Sequence, residues 1–98
     1  MKEIIAKLNK NFENRVRLGI MSTLMVNEEM DFIALKELLG VTDGNLASHL
    51  KALEKHDLIS VKKQFVGRKP KTTYLITQNG RVAFVEHLNA LEQLLKKD

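Results

Sequence analysis

Seven cations, Lys51, Lys55, Lys62, Lys63, Arg68, Lys69 and Lys71, fall within residues 51–71 against only Glu54 and Asp57. That segment carries a net +5 while the whole 98-residue chain carries +4, so the remainder sums to −1. A located basic stretch in a balanced chain is a footprint for a polyanion or a lysine-rich surface that serves solubility. Other chemistries are poorly supplied. There is no cysteine, which excludes a disulfide framework, a thiolate zinc site and a cysteine nucleophile, and which fits a reducing cytoplasm. His49, His56 and His87 do not stand at metal-ligand spacing, and Glu86-His87 alone makes no site. No carboxylate pair, nucleophile–base set or phosphate-cradling glycine loop stands out, so neither an enzyme nor a cofactor is expected.

The residues that position the cations read as one small domain over 1–98, with 44% hydrophobic and 29% charged residues. No apolar run is long enough to span a membrane, and the N-terminal segment lacks a signal-peptide core, so no membrane partner is expected. Ile4, Ile5 and Leu8 make a helical stripe within residues 1–11, broken by Asn9, Lys10 and Asn11. Asn14 is a plausible N-cap for a buried helix running to Val26. Asp31-Phe32 reads as a very short strand before a helix at 33–39, and Gly40 stands where a left-handed residue ends that helix. Thr42 or Asp43 then caps a helix to His56, in which Leu46, Leu50 and Leu53 form one stripe. Segments 33–39 and 43–56 together make a helix-turn-helix over 33–56.

Beyond it the pattern becomes β. Ile59, Val61 and Phe65 alternate, Gly67-Arg68-Lys69-Pro70 is turn chemistry, and Thr72–Ile76 returns, giving a two-stranded hairpin over 58–76 with a basic tip. Thr77 caps a final helix over 78–98, where Phe84, Leu88, Leu91 and Leu95 form a coiled-coil-like seam and Lys96-Lys97 suit its C-terminal end. That seam is either core or, with Ile4, Ile5 and Leu8, a homodimer interface, which is the favoured reading.

Helix 43–56 decides what the cations serve. With Leu46 as origin and 100° per residue, Leu50 and Leu53 lie at roughly 40° and 340°, facing a core. Gly44, Ser48, Lys51 and Lys55 occupy the opposite arc, flanked by Asn45, Ala47 and Ala52. Asn and Ser exchange hydrogen bonds with base edges, small residues permit close approach, and lysines suit phosphates. Asp43 lies outside this arc and reads as a cap, while His49 borders the core. On the hairpin, Lys62, Lys71, Arg68 and Lys69 are candidate contacts to the neighbouring backbone or the minor groove, with Arg68 and Lys69 at the tip the stronger pair. Strand-edge lysines also discourage edge pairing, an alternative for Lys62, Lys63 and Lys71.

Residues 12–24 (FENRVRLGIMSTL), 32–54 (FIALKELLGVTDGNLASHLKALE) and 61–77 (VKKQFVGRKPKTTYLIT), with the following Asn79-Gly80, resemble the small prokaryotic winged-helix transcriptional regulators of the MarR/ArsR-like class. The resemblance is to a minimal form, little more than the winged helix itself. It implies an α+β, mostly α, winged helix-turn-helix with dimerising terminal helices. It also implies a cytoplasmic homodimer, of repressor type, on a pseudopalindromic double-stranded operator. Asn45, Ser48 and Lys51 would then lie in the major groove, with Arg68 and Lys69 on the wing. Ile33 stands where such domains often place a polar cap, which leaves that cap missing or moved to Asp31. The chain has few residues to spare for the ligand pocket that many MarR-like proteins build, and no small-molecule effector is assigned. The competing readings are a winged-helix module that docks a protein partner and a nonspecific DNA-coating protein.

Overall fold

The computed structural model describes residues 1–96, so Lys97 of the expected terminal lysine pair lies outside the described residues. Local capping chemistry sets most of the helix starts. Asn14 Oδ1 accepts from the Val16 and Arg17 amides at 2.9 and 3.1 Å, opening α2 (Arg15–Val26). Asp31 Oδ1 accepts from the Ala34 amide at 2.8 Å, opening α3 (Phe32–Leu39), so the cap has moved to Asp31. Gly40 at φ 64° ends α3, and Thr42 Oγ1 takes the Asn45 amide at 3.2 Å to open α4 (Asp43–Lys55). Thr42 rather than Asp43 is the cap; Asp43 instead pairs with Lys36 at 2.8 Å across the turn.

Phe32 enters α3 because Asp31 is spent as its cap, so the short strand β1 falls one residue earlier than expected, at Met30–Asp31. The wing strands are β2 (Ile59–Val66) and β3 (Lys69–Ile76), antiparallel with Ile59 opposite Ile76 and Val66 opposite Lys69. β1 pairs with β3 through Met30–Tyr74 and Asp31–Thr73, which makes the expected two-stranded hairpin a three-stranded sheet in the order β1-β3-β2. The turn itself is only Gly67-Arg68, with Gly67 at φ 65°, a conformation in which a side chain would be strained. Lys69 and Pro70 thus belong to β3, not the turn. Proline is tolerated there because β1 reaches only as far as Thr73 and leaves that flank of β3 unpaired.

The base of the wing is clamped to the last helix, α5 (Gln78–Leu94). α4 closes with Asp57 in the left-handed region (φ 57°) and the Leu58 amide on the Leu53 carbonyl at 3.0 Å. Thr77 Oγ1 donates to the Asp57 carbonyl at 2.7 Å while accepting the Gly80 amide at 2.8 Å as the α5 cap. Gly80 lies so close to the Leu58 carbonyl that a Cβ there would overlap it.

One core unites these elements: Ile20, Met21 and Leu24 of α2, Leu35 of α3, Leu46, Leu50 and Leu53 of α4, and Leu58, Ile59, Phe12 and Phe84. Two expectations are corrected here. Residues 1–11 do not form one helix: α1 covers only Lys2–Ile5, and a 3-10 turn follows at Lys10–Phe12. The helix ends after Ile5, and Asn9 then turns extended to cap the 3-10 turn: its backbone N–H donates to His87 Nδ1 at 2.9 Å and its side chain accepts from the Asn11 amide. Phe84 is not available to a partner chain. It is buried edge-to-face on Phe12, ring centroids 5.1 Å apart.

Candidate nucleic-acid interface

α4 is held by one face and offers the other. Leu46, Leu50 and Leu53 are at most 2% exposed, whereas Gly44, Asn45, Ser48, Lys51 and Lys55 are exposed and Ala52 is half-buried. Gly44 has open space around its Cα where a side chain would stand, so the N-terminal turn of α4 is unobstructed for close approach. The backbone is therefore fixed by buried leucines while small and hydrogen-bonding side chains project from it. That combination suits base edges in a major groove, which an α-helix fits.

The wing is built differently. Ile59, Tyr74 and Ile76 pack at its base, and the described residues extend to 58 × 26 × 21 Å in all. Residues 65–71 are all exposed, including Arg68, Lys69 and Lys71. Phe65, expected to alternate inward, is 74% exposed because the hairpin has by then run past the body. Pairing fixes which side each residue takes. Val61 opposes Tyr74, Lys63 opposes Thr72 and Phe65 opposes Pro70, on the face that continues from Ile59 and Ile76. Lys62 and Lys71 belong to the other face, and Lys62 pairs with Glu29 at 3.4 Å. The structure thus brings α4 toward the face carrying Lys63, which sequence reasoning had ranked with Lys62 and Lys71.

A shallow groove of about 490 Å³ separates α4 from the wing, lined by Ala47, Ser48, Leu50, Lys51, Glu54 and Tyr74. Tyr74 was not anticipated as part of this surface. Burial, and then the charge of Glu54, push its hydroxyl above the usual phenol range, so it stays protonated and can donate. No local signal in the sequence marks it, because its place depends on strand register. Arg17 was missed as well: its Nε donates to His49 Nδ1 at 2.9 Å, tying α2 to α4. Burial, reinforced by the Arg17 charge, lowers the His49 pKa from 6.5 and keeps that nitrogen an acceptor. Among the described residues no cluster of three or more His, Cys, Asp or Glu side chains can hold a metal ion. No helix among them is long and apolar enough to cross a membrane.

A capped helix-turn-helix with a groove-sized second helix, followed by a basic hairpin, defines a winged helix-turn-helix of the DNA-binding class. A family model described as a winged helix DNA-binding domain matches residues 16–95, and the chain belongs to that family. The sequence is 41% identical over 87 residues to an uncharacterised protein of Methanocaldococcus jannaschii, covering 89% of this chain and 95% of that one. The structure of a transcriptional regulator homologue from Pyrococcus horikoshii OT3 superposes with a TM-score of 0.84 at 32% identity, covering 96% of this chain and 91% of that one. A regulator from Enterococcus faecalis V583 assigned to the MarR family shares the fold, with a TM-score of 0.67 at 22% identity over 95% of this chain and 76% of its own.

Proposed function

We propose that the protein is a cytoplasmic, sequence-specific transcriptional regulator of repressor type that binds double-stranded DNA as a homodimer. The observation that carries this reading is the composition of α4. Its leucine stripe is buried, and its free face holds Gly44, Asn45, Ser48 and Lys51 beside a basic wing. In this reading Asn45 and Ser48 meet base edges, with Ala52 leaving room. Lys51 and Lys55 meet phosphates, and Arg68, Lys69 and Lys71 near the wing tip follow the neighbouring backbone, whereas Lys62, expected to join them, stands on the other face and is paired with Glu29. The dimer reading is supported by α5, whose Leu88, Leu91 and Leu95 remain 42%, 39% and 87% exposed outside the buried stripe of Phe84 and His87. Ile5 is exposed, and Ile4 and Leu8 half-buried, at the same end of the molecule, where the N-terminal segment flanks α5. Pairing these faces about a two-fold would set two α4 helices on half-sites about 34 Å apart.

Selection from a pool of random duplexes, with the mass of the selected complex, tests the proposal. An inverted-repeat motif and two protomers per duplex are expected. Salt-sensitive binding without a motif would instead indicate a DNA-coating protein, and no binding by folded protein would indicate a protein-docking module.

A further inference from the structure

The wing tip carries apolar residues that the core does not use. Phe65 and Val66 are 74% and 58% exposed and stand on opposite faces of the hairpin, Phe65 opposite Pro70 and Val66 opposite Lys69. Single exposed apolar side chains need no explanation. Here, however, two neighbours at the end of β2 lead into a two-residue turn, one on each face of the hairpin, amid Lys63, Arg68, Lys69 and Lys71. A surface that pairs apolar flanks with a cationic tip fits a polyanion with apolar walls, and the minor groove, lined by deoxyribose, is one.

Dimensions favour it. At about 3.3 Å per residue, Val66 and Phe65 sit one and two residues behind the turn, about 3 to 7 Å from the tip. The minor groove is about 7.5 Å deep, so a tip at its floor brings both side chains between its walls. The groove is only about 6 Å wide, whereas adjacent strands are already about 4.8 Å apart before any side chain is added. Entry therefore requires the groove to open.

We infer that Phe65 and Val66 form an apolar wedge that widens the minor groove beside each half-site, giving the protein a preference for deformable flanking steps that it never contacts by hydrogen bond. The inference rests on the DNA-binding reading and deepens it. Pyrimidine–purine steps open readily and A-tracts resist, so the wedge converts flexibility into specificity.

The test uses the full-length protein and two duplexes that share the selected motif and differ only under the wing, TpA steps in one and an A-tract in the other. Wild-type protein is expected to favour the TpA duplex several-fold. The F65A/V66A variant should bind that duplex about tenfold more weakly and lose the preference, with an unchanged salt slope because no phosphate contact is removed. Hydroxyl-radical protection of the sugars under the wing should disappear with it. Both residues are exposed, so the variant should match wild type in thermal unfolding. Wild-type binding that is indifferent to F65A/V66A would overturn the wedge alone, whereas a wild type that binds no duplex would overturn the DNA reading with it. A change in protomer association without DNA would make the tip a contact between copies and also overturn the inference.

Discussion

α4 and the wing carry their exposed cations by opposite structural means. α4 is anchored along its whole length: Leu46, Leu50 and Leu53 are buried, Thr42 caps one end, and the Asp57–Leu58 turn closes the other. The wing is anchored toward its base, through Ile59, Tyr74, Ile76, the β1 pairing of Thr73 and Tyr74, the Lys62–Glu29 ion pair and the bonds from Thr77 to Asp57 and Leu58. From Phe65 to Lys71 it is held by the β2–β3 ladder and one glycine turn. Base-edge recognition needs side chains fixed to a fraction of an ångström, which a helix rooted in the core provides. Backbone and groove contacts tolerate adjustment, and a projecting ribbon supplies it. Under the proposed function, this contrast would give reading to α4 and holding to the wing.

The largest expected effect tests the anchoring. Leu50→Ala should cost about 3 to 4 kcal/mol of stability, because a fully packed side chain leaves a cavity. Phe65→Ala, with comparable apolar mass at the free end, should change stability by less than about 0.5 kcal/mol. Urea unfolding of the two variants measures both. Equal losses would mean that the wing tip is part of the core and would end the contrast.

A smaller effect separates the two regions by pH. His49, bonded to Arg17 between α4 and α2, and His87, bonded to the N-terminal segment, both have pKa values lowered from 6.5 by burial. The Arg17 charge reinforces the shift at His49, while the charge of Glu13 partly opposes it at His87. The unfolded chain therefore takes up protons near pH 6.5 that the folded chain refuses, so stability is full above that pH and declines as pH falls toward the folded-state values. Protonation would also leave each Nδ1 facing a donor, Arg17 Nε at His49 and the Asn9 amide at His87. Urea midpoints between pH 8 and 5 should fall on the acid side, and H49Q should remove part of the slope. The wing strands contain no histidine, and substitutions there should leave the slope intact.

Much of this architecture was legible because its determinants are local. The Asn14 and Thr77 caps, the left-handed Gly40 and the 4-then-3 leucine spacing of α4 each act within a turn or two of chain. What escaped depends on distance. Phe65 continues a correct strand alternation, but its burial depends on where the body ends. Phe84 lies on a genuine apolar stripe, and only Phe12 shows which partner covers it. His87 accepts from an amide 78 residues away. The facings of Lys62 and Lys63 were undecided until the two-residue turn fixed the register, which also put Tyr74 beside α4.

The division of labour is tested most directly by repeating the duplex selection with two double variants, N45A/S48A on α4 and R68A/K69A on the wing. The α4 variant should select an altered or degraded motif. The wing variant should keep the wild-type core motif, bind about ten- to a hundredfold more weakly, and show a salt slope shallower by about two. An unchanged motif from the α4 variant, or a changed core motif from the wing variant, would contradict the assignment of reading to the helix and holding to the wing.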